Sequence, residues 1–218
     1  MNRIPKLLAI GGLCAAAAVA SLAASAALAN SDPAGSAVTR ELPWDGSESL
    51  VFEVPANVRY VQSAGPGKVT VTGPRRSVEG FTADGGVLND GRWHTGKPLD
   101  VVVHAPRITR FSLKGSDTLV LEGFDQPELT IETVGRAEVH GSGRAGRVRL
   151  QLQGIGWVDL SSLAASEADV TLSGSRHALL SASEKASISG NGSVVLVSKP
   201  RALELNLGDS GRVFTLGQ

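Results

Sequence analysis

The chain has 218 residues and balances 21 Lys and Arg against 21 Asp and Glu, so it lacks the basic footprint that a nucleic-acid partner requires. Its single cysteine, Cys14, excludes an intrachain disulfide and a multi-thiolate metal site. With 26 glycines and only 4% aromatic residues, its architecture must come from aliphatic strands and frequent corners.

Residues 1–29 read as a secretory signal peptide. Arg3 and Lys6 form a positive n-region, Leu7 to Leu28 is an Ala/Leu-rich apolar run, and Ala27, Leu28 and Ala29 supply a small-residue site with cleavage after Ala29. The small-residue site and the loose stretch 30–36 argue against a retained membrane anchor. Leu13 occupies the place where lipidation of Cys14 would need a small residue. Cleavage removes the cysteine and two positive charges, leaving 19 basic against 21 acidic residues and no membrane span in the mature chain. The remaining roughly 190 residues suffice for one core. Residues 30–47 lack periodicity and read as a flexible leader, followed by a single domain over 48–218.

Val51 to Val54 would cover the exposed first row of that domain. Val58 to Gln62, the corner Gly65–Gly67 and Val69 to Val71 form an early repeat. Residues 77–98 interrupt it, with Gly85-Gly86, Asn89 to Gly91 and Trp93-His94 marking a hairpin or excursion. Leu99 to Pro106 then resumes as a buried strand.

From Phe111 the chain repeats itself. Segments starting at Phe111, Leu129, Leu150, Val170 and Ala186 alternate apolar and polar residues and run into Gly-rich corners, and a sixth starts at Leu203. The corners end at Asp117, Gly135, Gly156, Arg176 and Gly192, at intervals of 18, 21, 20 and 16. Strand alternation inside a period near 20 predicts a solenoid, an all-β single-stranded parallel β-helix with coils of about 20 residues. Stacked coils join apolar rows that no single coil can bury, each strand lying ~4.8 Å from its equivalents. The inward set is Leu113, Leu119, Leu129, Ile131, Val139, Leu150, Leu152, Val158, Leu160, Val170, Leu172, Ile188, Leu196, Leu205 and Leu207. A β-sandwich would need antiparallel strands at shorter spacing and would not explain the recurring corners. No apolar spacing after residue 50 suits a sustained helix.

The corners Gly141-Ser142-Gly143, Gly154-Ile155-Gly156, Gly174-Ser175 and Gly190-Asn191-Gly192, behind a signal peptide, resemble those of the head GIN domain. This is the "putative auto-transporter adhesin" family of the bacterial envelope. The resemblance runs from about Glu48 to the C-terminus and includes Val101 to Pro106 before Phe111 to Ser116. Gly115-Ser116-Asp117 and Gly174-Ser175-Arg176 lack the last glycine, and Val134-Gly135 is reduced further; Arg176 reads as tolerated at a relaxed corner. The resemblance implies a right-handed β-helix exported to the periplasm or cell surface. It supplies no catalytic residues.

Two enzyme-like motifs are corners of the same repeat. Gly141 to Gly146 matches dinucleotide-binding spacing, but a strand follows where the chemistry needs a helix N-terminus. Gly208-Asp209-Ser210-Gly211 copies a protease nucleophile tetrapeptide, yet none of His94, His104, His140 and His177 has the context of its base. The scattered histidines show no metal-ligand spacing, so neither metal nor cofactor is expected.

The outward rows carry the functional expectation. Aligning the corners places Thr118, Arg136, Trp157, His177, Ser193 and Arg212 in one column and Val120, Glu138, Asp159, Leu179, Val195 and Phe214 in the next. Arg136, Trp157 and His177 on adjacent rows suit stacking against a sugar ring or a cation–π ladder. Glu138 and Asp159, one row apart, could share a proton or hold a cation, as a polysaccharide-acting hydrolase or lyase would require, or be two solvated acids. Leu179, Val195 and Phe214 suit a partner contact. Arg136, Arg144, Arg147 and Arg149, interleaved with Glu132 and Glu138, read as a mixed solvated face. Together these features predict a non-enzymatic envelope module that binds an envelope protein or glycan. A polysaccharide-acting enzyme and a periplasmic sensing or assembly partner stand as alternatives.

Overall fold

A computed structural model describes residues 37–91 and 97–216, all within one unit spanning Pro33–Gln218. The signal-peptide reading with its Ala29 site, and the pair Trp93-His94, lie outside the described residues. In chain order the elements are β1 (Ala37–Pro43), β2 (Ser49–Phe52), β3 (Ala56–Gln62), β4 (Lys68–Pro74), α1 (Arg75–Gly80), β5 (Thr82–Asp84) and β6 (Val87–Asn89). They continue as β7 (Leu99–Ala105), β8 (Arg110–Leu113), β9 (Ser116–Gly190), β10 (Ser193–Leu196), β11 (Ala202–Leu207) and β12 (Arg212–Thr215). The strands belong to one sheet with the path β1-β4-β7-β3-β9-β8-β2-β6-β5, from which β10, β11 and β12 branch.

That sheet is mixed, which overturns the expectation of a single-stranded right-handed parallel β-helix. β1 runs antiparallel to β4, β4 to β7 and β5 to β6, while β3 is parallel to β7 and β9, and β8 is parallel to β2 and β9. The result is an all-β, barrel-like sheet around one core. The spacing of corners misled because glycine marks a change of direction without saying which direction follows. Gly85 and Gly86, at φ +59° and +76°, close a two-residue hairpin between β5 and β6. The five residues 63–67, with Gly65 at φ +108°, return the chain antiparallel on β7.

β9 runs for 75 residues, which as a straight strand would span roughly 250 Å. Instead it folds back on itself in rows. Ser142 Oγ donates to the Leu121 carbonyl at 3.4 Å, Arg144 pairs with Asp125 at 3.0 Å, and the Thr171 and Ser189 hydroxyls bond at 3.1 Å. Parallel registers at its ends show similar offsets, between 16 and 20 residues: Arg110 stands beside Thr130, Lys185 beside Ala202 and Ser193 beside His177.

The core runs continuously through these rows. Thirteen of the fifteen expected inward residues are buried; Leu207 is half-buried and Leu205 is 50% exposed. Tyr60, Phe111 and Phe124 form an aromatic centre with ring centroids 5.5 and 6.5 Å apart. The Tyr60 hydroxyl donates to the Ala105 carbonyl and accepts from Gln126, each at 3.2 Å, and burial pushes it up to about 12. The stretch read as a leader contains β1. Arg40 on that strand donates to the Val78, Glu79 and Phe81 carbonyls at 3.1–3.4 Å, satisfying the C-terminal end of α1. Trp44 follows, buried, with its indole N–H on the Ser47 carbonyl at 3.1 Å.

The corners are where rows meet most closely. Gly154 has φ +99°, and a β-carbon there would stand 2.3 Å from the Gly135 carbonyl oxygen, so only glycine fits. Beside this column Arg176 is wholly buried, not relaxed at a surface corner. Its guanidinium donates to the carbonyls of Gly135 at 2.9 Å, Ala137 at 3.2 Å and Gln153 at 2.5 Å, tying three backbone positions on two rows. It has no carboxylate partner among the described residues, so carbonyl dipoles alone oppose the desolvation that lowers its pKa. Replacing the side chain by one of similar volume leaves those carbonyls short of donors. We expect Arg176→Met to lose about 2–4 kcal/mol, read as a lower urea midpoint with unchanged slope.

Asp117 is also buried. One carboxylate oxygen accepts the Ala56 N–H at 3.4 Å and the other has no partner. Burial pushes it up to about 6, with the Ala56 and Gly115 amides opposing. Its folded pKa lies above the unfolded one, so its contribution is full below about pH 4 and is lost as the pH rises through about 6. In urea titrations from pH 4 to 8, Asp117→Asn should therefore gain stability relative to the native chain as the pH rises. A constant difference would show that Asp117 does not titrate in this window.

Candidate functional site

Row stacking presents an outward face on the last turns of β9, on β10 and on β12. The register is set by the backbone: Ser193 lies between His177 and Arg212, and Val195 between Leu179 and Phe214. Amide bonds from Val197 to the Leu180 carbonyl at 3.0 Å and from Leu216 to Leu196 at 2.9 Å carry it two positions further. Leu179, Val195 and Phe214 thus form a ladder of apolar side chains pointing away from the core, since Ala178, Val194, Leu180 and Leu196 on the same strands are buried. Leu179 and Val195 are half-buried, while Phe214 is 52% exposed and Leu216, at the end of the next column, 67%.

Trp157 borders this ladder. Gly156 before it has φ +137° and sits against the Ala137 carbonyl, where a β-carbon would come within 2.0 Å. That close approach turns the chain so that Val158 enters the core and the indole faces out, 39% exposed. Its ring lies 5.8 Å from the His177 ring at an interplanar angle of 31°. Of the three-residue stack expected here, Trp157 and His177 are therefore in contact. Arg136 is exposed on the preceding row, with its guanidinium in no ion pair or ring contact among the described residues.

The two carboxylates behave separately. Glu138 bonds to its own neighbour His140 at 2.9 Å. Asp159 accepts the Ser161 hydroxyl at 2.6 Å and the Ser161 amide at 3.0 Å, and these bonds hold its carboxyl below the usual range. Asp159 lines an open depression of about 200 Å³ with Val120, Glu122, His140, Ser142 and Ser162. Glu138 is not among its walls. A residue held ionised by a serine is unsuited to donating a proton, and each acid already has its own partner.

The arginines of the neighbouring face are neutralised locally, by other acids than the sequence suggested. Arg144 pairs with Asp125, Arg147 with Glu167 and Asp169, and Arg149 with Glu128 and Asp169. Each pair bridges two rows, which is why the partners lie about 20 residues away. Gly141–Gly146 lies inside β9 with no helix after it, and the Gly211 amide closes a turn on the Gly208 carbonyl at 2.9 Å around Ser210. No group of three or more potential metal ligands occurs among the described residues, and no described helix is long and apolar enough to cross a membrane.

Sequence reasoning missed Val134 and Ile155, which are 54% and 44% exposed at successive corners. Both stand beside a positive-φ glycine, and an apolar residue in such a corner was the available signal.

The same fold occurs in a solved structure. A crystal structure described as a putative adhesin from Bacteroides fragilis NCTC 9343 aligns over 83% of this chain and 97% of its own, with 16% identity and a TM-score of 0.61. One described as a putative adhesin from Parabacteroides merdae ATCC 43184 covers 84% of this chain and 94% of its own at 15% identity and a TM-score of 0.45. No curated protein sequence matches the chain. The model of the family described as "Putative auto-transporter adhesin, head GIN domain" matches residues 48–200, from the residue before β2 to the residues before β11, and the chain belongs to that family.

Proposed function

We propose that this chain is a non-enzymatic binding module, exported to the bacterial envelope, that engages its partner through the outward face bearing Trp157. The observation that carries this reading is the exposed indole, tilted against the His177 ring and bordered by the Leu179–Val195–Phe214 ladder. A side chain so large is energetically costly to leave half in water unless it serves a contact, and tryptophan is among the residues that dominate binding energy at interfaces. The surrounding polar groups, Arg136, Asp159 and Ser161, can supply hydrogen bonds at the rim. Membership of the adhesin-head family supports a binding role, and the signal-like residues 1–29 support export. Asp159 being held ionised, with Glu138 committed to His140, weighs against a proton-sharing pair on this face.

The test is a screen of envelope glycans and envelope proteins against the purified chain, with turnover followed on every hit. Binding without turnover is expected, weakened about 30-fold or more by Trp157→Ala, a loss of about 2 kcal/mol or more. Binding that survives this substitution unchanged removes Trp157 from the site, and product formation restores the hydrolase or lyase reading.

A further inference from the structure

The strand β11 forms the last row against β9, and its outer edge pairs with nothing among the described residues. Its register places Leu203 beside Ala186 and Leu205 beside Ile188, both of which are buried in the core. Leu203 and Leu205 continue those core columns, yet they are 43% and 50% exposed. The core is therefore open at this row, and the opening coincides with a row of free backbone donors and acceptors. Such an edge is a template for another strand.

We propose that β11 pairs antiparallel with the β11 of a second copy of this chain, about a two-fold axis through Leu205. The strand's own sequence selects that occupant and that register. Centred on Leu205, Leu203 of each copy faces Leu207 of the other, and Glu204 faces Asn206, a pair able to hydrogen-bond. Just beyond the strand, Arg201 of each copy comes opposite Asp209 of the other. Other centres conflict: Glu204 would oppose two carboxylates, Leu203 would place Leu205 against Arg201, and Asn206 would place Leu203 against Asp209. Antiparallel pairing keeps directly opposite residues on the same face, so all the leucines meet on the core side and both open cores close on each other.

The end charges are poised for this. Arg201 reaches Glu184 at 3.0 Å but remains largely in solvent, and Asp209 has no ion pair among the described residues. Glu204 is held by Lys185 at 2.8 Å and by the Ser187 hydroxyl at 3.1 Å on its own row, so it needs no partner across the axis.

Sedimentation of the purified chain over micromolar to submillimolar concentration tests the proposal, with circular dichroism as a control for folding. A reversible doubling of mass is expected. Leu205→Lys sets two ammonium groups on the axis and should leave a monomer. It replaces an exposed side chain, so the fold should survive. Arg201→Asp should weaken the dimer about tenfold or more, and adding Asp209→Arg to it should restore the affinity. In a Cys14→Ser background, Leu205→Cys should give an intermolecular disulfide on oxidation, because directly opposite residues are about 4.5–5.5 Å apart, whereas Leu203→Cys should not. A monomer at every concentration overturns the proposal, and so does a dimer indifferent to Leu205→Lys and to the charge reversal.

Discussion

Everything in this molecule depends on rows of backbone meeting in register, and the corners are where that contact is tightest. Gly135 and Gly154 leave no space for a β-carbon between them, so the two rows approach to van der Waals contact of main chain on main chain. Arg176 then spans the same place with three donated hydrogen bonds. A buried cation without a carboxylate is costly, and here the cost is opposed by three carbonyl oxygens that converge on the guanidinium at the corner. The geometry that orders the core thus also orders the surface. Trp157 meets His177, and Val195 lies between Leu179 and Phe214, because the backbone beneath them is in register.

Row stacking also explains the pattern of charge. Ion pairs such as Arg144 with Asp125 and Arg147 with Glu167 join residues far apart in sequence that stand on adjacent rows. They are exposed or half-exposed, where single pairs contribute at most about 1 kcal/mol. Their larger effect is to neutralise Arg144, Arg147 and Arg149 on the mixed face. What remains distinctive on the outside is apolar: the ladder beside Trp157, the corner residues Val134 and Ile155, and the open last row at Leu203 and Leu205. The first two lie on a face and suit a ligand. The last is an edge and suits a strand.

The sequence was most legible where side chains alternate. The inward residues from Leu113 to Leu196 could be named from period-two patterning alone, because burial of one strand face is a local property. That residues 77–98 interrupt the pattern as a hairpin or excursion was legible from Gly85-Gly86, but that these two glycines close the turn between β5 and β6 was not. Strand direction was not. β4 returns antiparallel on β7 although Val69 and Val71 look like any other row, because pairing partners are chosen by tertiary packing. Residues 37–43 were also obscure, since Arg40 and Trp44 act through distant contacts that leave no periodic trace. In the candidate site the same division holds. The column containing Trp157 and His177 followed from corner alignment, but the isolation of Arg136 and the separate hydrogen bonds of Glu138 and Asp159 did not.

By itself, then, the sequence determined that the chain is all-β, where its corners fall, and which side chains from Leu113 to Leu196 enter the core, since each of these follows from alternation and from the freedom of glycine at positive φ. Only the tertiary structure decided that the sheet is mixed, that Arg176 is a buried tie, and that the last row stands open. The reason is physical. Local steric preference dictates how a strand and a corner form, whereas the direction, partner and covering of each strand depend on which distant backbone reaches its hydrogen-bonding edge.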